Sequence, residues 1–334
     1  MYKNIQMLRA LAALMVVLLH AAPHYRDMNG KASWLMDVAS WGYTGVDLFF
    51  VISGFVIAAT TFSKERNFAT CKTFLKRRFA RIYLGYWPFL LLMLLVTWLV
   101  VPERLEMIDM LGSFFLFNTN INELLHPVSW TLSYELYFYI LFALLFAINL
   151  KRATFFLITF FSIILCIAVW SLLNLDYQIP FLLSPFLLEF LSGVMLYYFK
   201  GILHKKWIIP FSIIMVVAAC SGGVYSGKVE GAVRVFTFGV AAFFILAIAI
   251  SLEYRKLYVA KNWLVALGDA SYTLYLIHWP MILVFYASGL RNYIAGQSQW
   301  LIEAGFASFI LLCLIVSHFF YKKVELPLYK KITH

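Results

Sequence analysis

Seven ionisable side chains sit inside long apolar runs: Arg9, His20, Asp47, Glu135, Glu189, His278 and His318. At the centre of a bilayer each would cost at least about 2.5–3.5 kcal/mol, so such groups pair with one another or serve a function. His318, isolated near the end of its run, reads as a structural residue. Arg9 and His20 are more telling, because a separation of 11 residues is close to three helical turns. The two side chains face one side of a helix, about 16 Å apart along its axis. Asp47 opens the second run and Glu135 stands early in the fourth, which puts both acids at the depth of His20. A histidine beside a carboxylate in a partly dry pocket is what general-base chemistry requires. The acid fixes the ring tautomer and stabilises imidazolium as the proton arrives. The residues alone leave open whether Asp47 or Glu135 takes that part.

A second constellation is basic. Lys72, Lys76, Arg77, Arg78 and Arg81 crowd into KTFLKRRFAR (72–81). Arginine forks pair with phosphate oxygens, so this stretch suits a phosphate-headed ligand. A coenzyme A thioester, a nucleotide sugar and a lipid phosphate all have that shape, and the same charges would also orient a membrane protein. Ser53-Gly54 in FFVISGF (49–55) reads as close helix packing, and Ser53 is counted with the pocket residues. Tyr275 and His278, in YTLYLIHWP (272–280), read as pocket-lining or structural. No Walker loop, G-x-S-x-G elbow or H-E-x-x-H motif occurs. Cys71, Cys166, Cys220 and Cys313 show no C-x-x-C spacing, so neither a disulfide framework nor a metal site is expected.

These residues need elements to hold them, and composition says which. Hydrophobic residues make up 63% of the 334 and charged ones only 13%, against roughly 25% charged in a soluble domain. Runs of about 20 apolar residues mark helical spans. Ten are expected, at 5–22, 43–62, 83–101, 130–149, 153–173, 181–199, 207–221, 235–252, 270–288 and 300–320, the seventh short and flanked by glycine. Arg9 within the first run argues for a retained helix rather than a signal peptide. Segment 103–118 is apolar on one side and reads as interfacial or re-entrant. The expectation is an all-α bundle forming a single domain over 1–334. The net charge of +11 comes from clusters between runs, not from a nucleic-acid motif. Of the basic residues, only Arg26, Lys31, Arg104, Lys228, Arg234 and Arg291 fall in the alternate loops, and Arg9 is inside a span. The positive-inside rule therefore places both termini in the cytoplasm.

Five segments, in order, resemble the acyltransferase 3 family of ten-helix membrane acyltransferases. Arg9-x10-His20 in LRALAALMVVLLH resembles the first-helix signature, and GYTGVDLFFVISGF (42–55) is similar to the second-helix stretch that includes Asp47. Arg78-x-x-Arg81 in RRFARIY resembles the cytoplasmic Arg motif. SWTLSYELYFY (129–139) places an acid at Glu135, and SYTLYLIHWP (271–280) resembles the penultimate-helix motif. The resemblance implies transfer of an acyl group, usually acetyl from acetyl-CoA, to sugars of surface polysaccharides. It implies His20 as base or acyl carrier, Arg9 beside the donor channel, and Arg78 and Arg81 on the coenzyme. Two departures stand out. Leu136 follows Glu135 where many relatives have a second acid, and the sequence carries no hydrolase-like domain.

The combined expectation is a multi-pass O-acyltransferase of a bacterial inner (plasma) membrane, surrounded by lipids. Acetyl-CoA is its donor substrate, with no permanently bound cofactor, and a glycan or lipid-linked glycan such as O-antigen or exopolysaccharide is the acceptor. The donor's phosphates would meet Lys76, Arg77, Arg78 and Arg81, and its arm would pass Arg9 to reach His20. The rival reading is a proton-coupled transporter or flippase, although no inverted repeat is visible. The topology is directly testable. A fluorescent protein fused after His334 should fluoresce, and alkaline phosphatase fused after Arg104 should be active. The reverse pattern would overturn the orientation.

Overall fold

The computed structural model describes residues 2–26, 34–147, 150–173, 179–227 and 231–333. Lys31 and Lys228 of the charge pattern lie outside those residues. Every regular element among them is helical. Among the described residues, nine helices are long and apolar enough to cross a membrane, and the pair Asn262–Asp269 and Ser271–Ala287, bent by 61°, makes a tenth if read as one span. The main helices are α1 (Lys3–Arg26), α2 (Thr44–Thr61), α3 (Phe68–Val100), α4 (Trp130–Ala147) and α5 (Leu150–Leu173). They continue with α6 (Phe186–Tyr198), α7 (Ile208–Ser226), α8 (Val240–Tyr254), α9 (Ser271–Ala287) and α10 (Gln299–Phe320).

Helix α3 departs most from the expected spans. It starts at Phe68 and runs 33 residues, so the basic stretch forms its opening turns rather than a loop. The reason is local. Lys and Arg are good helix formers, and Asn67 accepts from the Thr70 amide at 2.8 Å as a start signal. The seventh span is a continuous helix of 19 residues. The stretch expected to be interfacial or re-entrant forms a 3₁₀ turn, Pro102–Met107, and a short helix, Met110–Phe115.

The chain divides into two compact units. One comprises Met1–Arg9, Val46–Arg78 and Tyr134–Asn262. Here Glu253 accepts from the Lys3 and Asn4 amides at 3.0 and 2.8 Å, which satisfies two donors that the first turn of α1 leaves open. Asn4, fully buried, donates to the Ala249 and Tyr258 carbonyls and accepts from the Ala260 amide at 2.7 Å. Helices α2 and α6 touch backbone to backbone. A Cβ on Gly54 would lie 1.9 Å from the Phe190 carbonyl oxygen, and one on Gly193 would lie 2.0 Å from that of Val51. Gly54 thus has the packing role that its motif suggested.

The other unit comprises Ala10–Gly45, Phe79–Ser133 and Trp263–His334. Asp109 caps the short helix by accepting from the Gly112 amide at 2.8 Å. Those hydrogen bonds, with one from Asn118, hold its carboxyl below the usual aspartate range. At the other end of that helix three successive carbonyls need donors, and α3 supplies them. Tyr86 donates to Ser113, Trp87 to Phe114 and Tyr83 to Phe115, at 2.8, 3.3 and 2.9 Å. Tyr25 packs against Phe285 and Phe306, with ring centroids 5.2 and 5.0 Å away.

The reciprocal glycine contact gives a clean test. Gly193→Val should push α6 off α2 and cost about 1–3 kcal/mol, the usual penalty for overpacking. A thermal melt in detergent would register this, and an unchanged melting temperature would refute the contact.

Candidate active site

Three histidines converge in the second unit, all held by the segment Leu274–Pro280 of α9. His20, on α1, brings Nδ1 to 3.0 Å from Nε2 of His278. The two rings are 9° from parallel with centroids 5.2 Å apart. The Trp279 ring meets His20 edge-on, at 4.9 Å and 80°. His278 is fully buried, and its other nitrogen, Nδ1, lies 3.2 Å from the Leu274 carbonyl oxygen. Tyr275 donates to the Val128 carbonyl at 2.8 Å and shares a hydrogen bond with Thr131, which ties α9 to the start of α4.

The third histidine follows from a proline. Pro280 lies inside α9 and has no amide hydrogen for the carbonyl four residues back. That carbonyl belongs to Leu276, and His126 Nε2 occupies it at 2.9 Å. His126 is fully buried, and its Nδ1 has no partner among the described residues. The indole Nε1 of Trp279 is likewise buried and without a partner among them. A buried acceptor and a buried donor are thus left open near His20, where most such groups in a folded protein are satisfied.

The acids expected to serve His20 have other partners in the first unit. Asp47 is fully buried, and Arg234 grips it through Nε at 2.9 Å and Nη2 at 3.0 Å. Glu189 stands beside this pair, packed so tightly that a Cβ on Gly239 would lie 2.6 Å from its Oε1. Gly239 closes the π-helical turn Val235–Gly239, which leads into α8. Glu135 accepts from Ser53 at 3.1 Å and from Tyr139. Arg9 donates to Gln6 one turn earlier, at 3.2 Å.

The basic stretch divides residue by residue. Lys76 and Arg77 are exposed, with no partner among the described residues. Arg78 donates to Thr60 at 2.8 Å and lies over the Phe74 and Tyr139 rings. Arg81 is 3.3 Å from Glu325, between the Tyr272 and Tyr329 rings, and Thr273 also donates to Glu325. Among the described residues, no cluster of three or more His, Cys, Asp or Glu residues suits a metal ion.

His126, Arg234, Trp279 and Glu325 were not singled out from the sequence. Arg234 and Glu325 lie just beyond the apolar runs as drawn, and His126 precedes the fourth. Pro280, four residues after Leu276, was the one signal that a carbonyl in α9 would seek an outside donor.

The family described as an acyltransferase domain, acyltransferase 3, matches residues 2–318. The chain belongs to this family. It is also similar to the O-acetyltransferase OatA of Staphylococcus aureus strains NCTC 8325 / PS 47 and COL. Each is 27% identical over 97% of this chain and 56% of the relative. The chain therefore spans about half the length of these curated relatives. No solved structure matches it.

The buried ion pair carries its own test. Arg234→Met leaves Asp47 buried without its counter-charge and should cost about 3–5 kcal/mol. Adding Asp47→Asn should recover most of that loss in a thermal melt. A single variant as stable as wild type would remove the pair from the account.

Proposed function

We propose that this protein is an O-acyltransferase of a bacterial inner membrane, moving acetyl from acetyl-CoA to a hydroxyl of a cell-surface glycan. The observation that carries the reading is the hydrogen bond between His20 and His278, in a chain of acyltransferase lineage. The printed activity of the Staphylococcus aureus relatives, O-acetyltransferase, points the same way.

The geometry sets the protons. Leu274 O can only accept, so His278 Nδ1 carries a hydrogen and Nε2 of the neutral ring is an acceptor. His20 Nδ1 must then be the donor to it. The remaining nitrogen of His20, Nε2, holds the free lone pair. It is the atom that takes a proton from a sugar hydroxyl, or that carries the acyl group between donor and acceptor. His278 thus does for the tautomer what a carboxylate was expected to do. Glu135, hydrogen-bonded by Ser53 and Tyr139, remains the acid available for proton handling in its own unit, and Asp47 is reserved for Arg234.

For the donor, Lys76 and Arg77, exposed and without a partner among the described residues, offer the first phosphate contacts. Arg78 holds a neutral hydroxyl and two aromatic rings, and no acid among the described residues, and is next in line. Arg81 would have to leave Glu325. Arg9 and His20, on one side of α1, span about 16 Å, a length suited to the coenzyme's extended arm. Both termini lie in the cytoplasm on this reading, as the charge pattern requires.

Purified protein in nanodiscs should release free thiol from acetyl-CoA in the presence of a surface glycan. His20→Ala should lower that rate by at least about 10²-fold, the low end for losing a general base, while eluting as folded protein. Wild-type turnover in His20→Ala would sink the assignment.

A further inference from the structure

Acyl transfer from a thioester places negative charge on the carbonyl oxygen as the tetrahedral intermediate forms. A site that performs it needs a donor aimed at that oxygen, fixed in advance and shielded from water. The His20–His278 pair cannot supply one. Its two hydrogens are committed to His278 Nε2 and the Leu274 carbonyl, and His20 Nε2 is the base. His126 cannot supply one either, because its hydrogen is spent on the Leu276 carbonyl and Nδ1 is an acceptor.

Trp279 remains. Its ring stands edge-on to His20 with centroids 4.9 Å apart. Its Nε1–H is buried and has no partner among the described residues. An indole nitrogen is a donor only and cannot rotate into another role as a hydroxyl can. Buried indole N–H groups usually find an acceptor, so an open donor on a ring packed against that of the base is a group left for a ligand. Its backbone is held firmly. His278, the preceding residue, is pinned to Leu274, and Pro280, the following one, gives the Leu276 carbonyl to His126.

We propose that Trp279 is a catalytic residue, its indole N–H donating to the carbonyl oxygen of the acyl donor as that oxygen becomes an oxyanion. The proposal rests on the reading of His20 as base or acyl carrier. In the direct route, His20 Nε2 takes the proton of the acceptor hydroxyl. The hydroxyl oxygen bonds to the thioester carbon, and the carbonyl π pair moves onto oxygen, where Trp279 receives it. That pair then re-forms the carbonyl, the C–S bond breaks, and the leaving thiolate takes the proton from the His20 imidazolium. The products are an ester and free coenzyme A thiol. If His20 Nε2 itself attacks first, the same oxyanion forms and meets the same donor.

The test needs a substitution that removes the hydrogen and keeps the ring. A β-(3-benzothienyl)alanine residue at position 279, introduced by stop-codon suppression, replaces N–H with sulfur at almost constant shape. Trp279→Phe is the simpler companion. Both would be assayed in nanodiscs for thiol release from acetyl-CoA, with a panel of methyl glycosides as acceptor and His20→Ala in parallel. The expected result is a fall in kcat of about 10²–10³-fold, the usual cost of one oxyanion donor, with KM for acetyl-CoA within about threefold. A merely structural tryptophan would leave kcat intact in the sulfur isostere. Wild-type kcat in the isostere, with His20→Ala inactive, overturns the role of Trp279 and spares that of His20. Full activity in His20→Ala overturns both.

Discussion

A polar group within the hydrocarbon layer has no water to fall back on, so each must find its partner inside the protein or cost several kcal/mol. The same need for an internal partner is met by contact after contact in this chain. Glu253 receives two open amides at the head of α1. Tyr83, Tyr86 and Trp87 quench three carbonyls in a row at the end of a short helix. Arg234 neutralises Asp47 through two nitrogens. His126 fills the carbonyl that Pro280 leaves open. Among the buried polar atoms without a partner in the described residues is the indole nitrogen of Trp279, whose ring packs against that of His20.

The all-α, multi-span character was legible because it rests on composition and run length, which need no knowledge of neighbours. The Arg9–His20 spacing was legible for a related reason, since a helix fixes the relation between its own residues. Partnership between helices was not. Asp47 and Arg234 are 187 residues apart, and nothing along the chain says that one answers the other. Depth alone made Asp47 and Glu135 equivalent candidates for His20, and His278, read as structural or pocket-lining, was not among them. Residues at the margins were lost for a simpler reason. An apolar run ends where its charges begin, so Arg234 was counted with a loop and Glu325 was passed over, although both are buried.

The basic stretch shows two demands sharing one helix. As a marker of orientation its residues are interchangeable, but their surroundings differ. Arg81 is held by an acid and two aromatic rings, Arg78 by a hydroxyl and two rings of its own, and Lys76 and Arg77 by nothing among the described residues. These four charges therefore grade from fixed to free along the helix, which a count of positive residues cannot reveal.

Pro280 and the hydrogen bonds around it also bear on long-range proton movement. A Grotthuss chain conducts only if each member can accept a proton on one side and pass one on from the other. One histidine path from His20 ends on a main-chain carbonyl, that of Leu274 beyond His278. A carbonyl has nothing to pass on. On that side His20 faces a cul-de-sac rather than a wire, and a proton lent to the pair is not handed onward through His278.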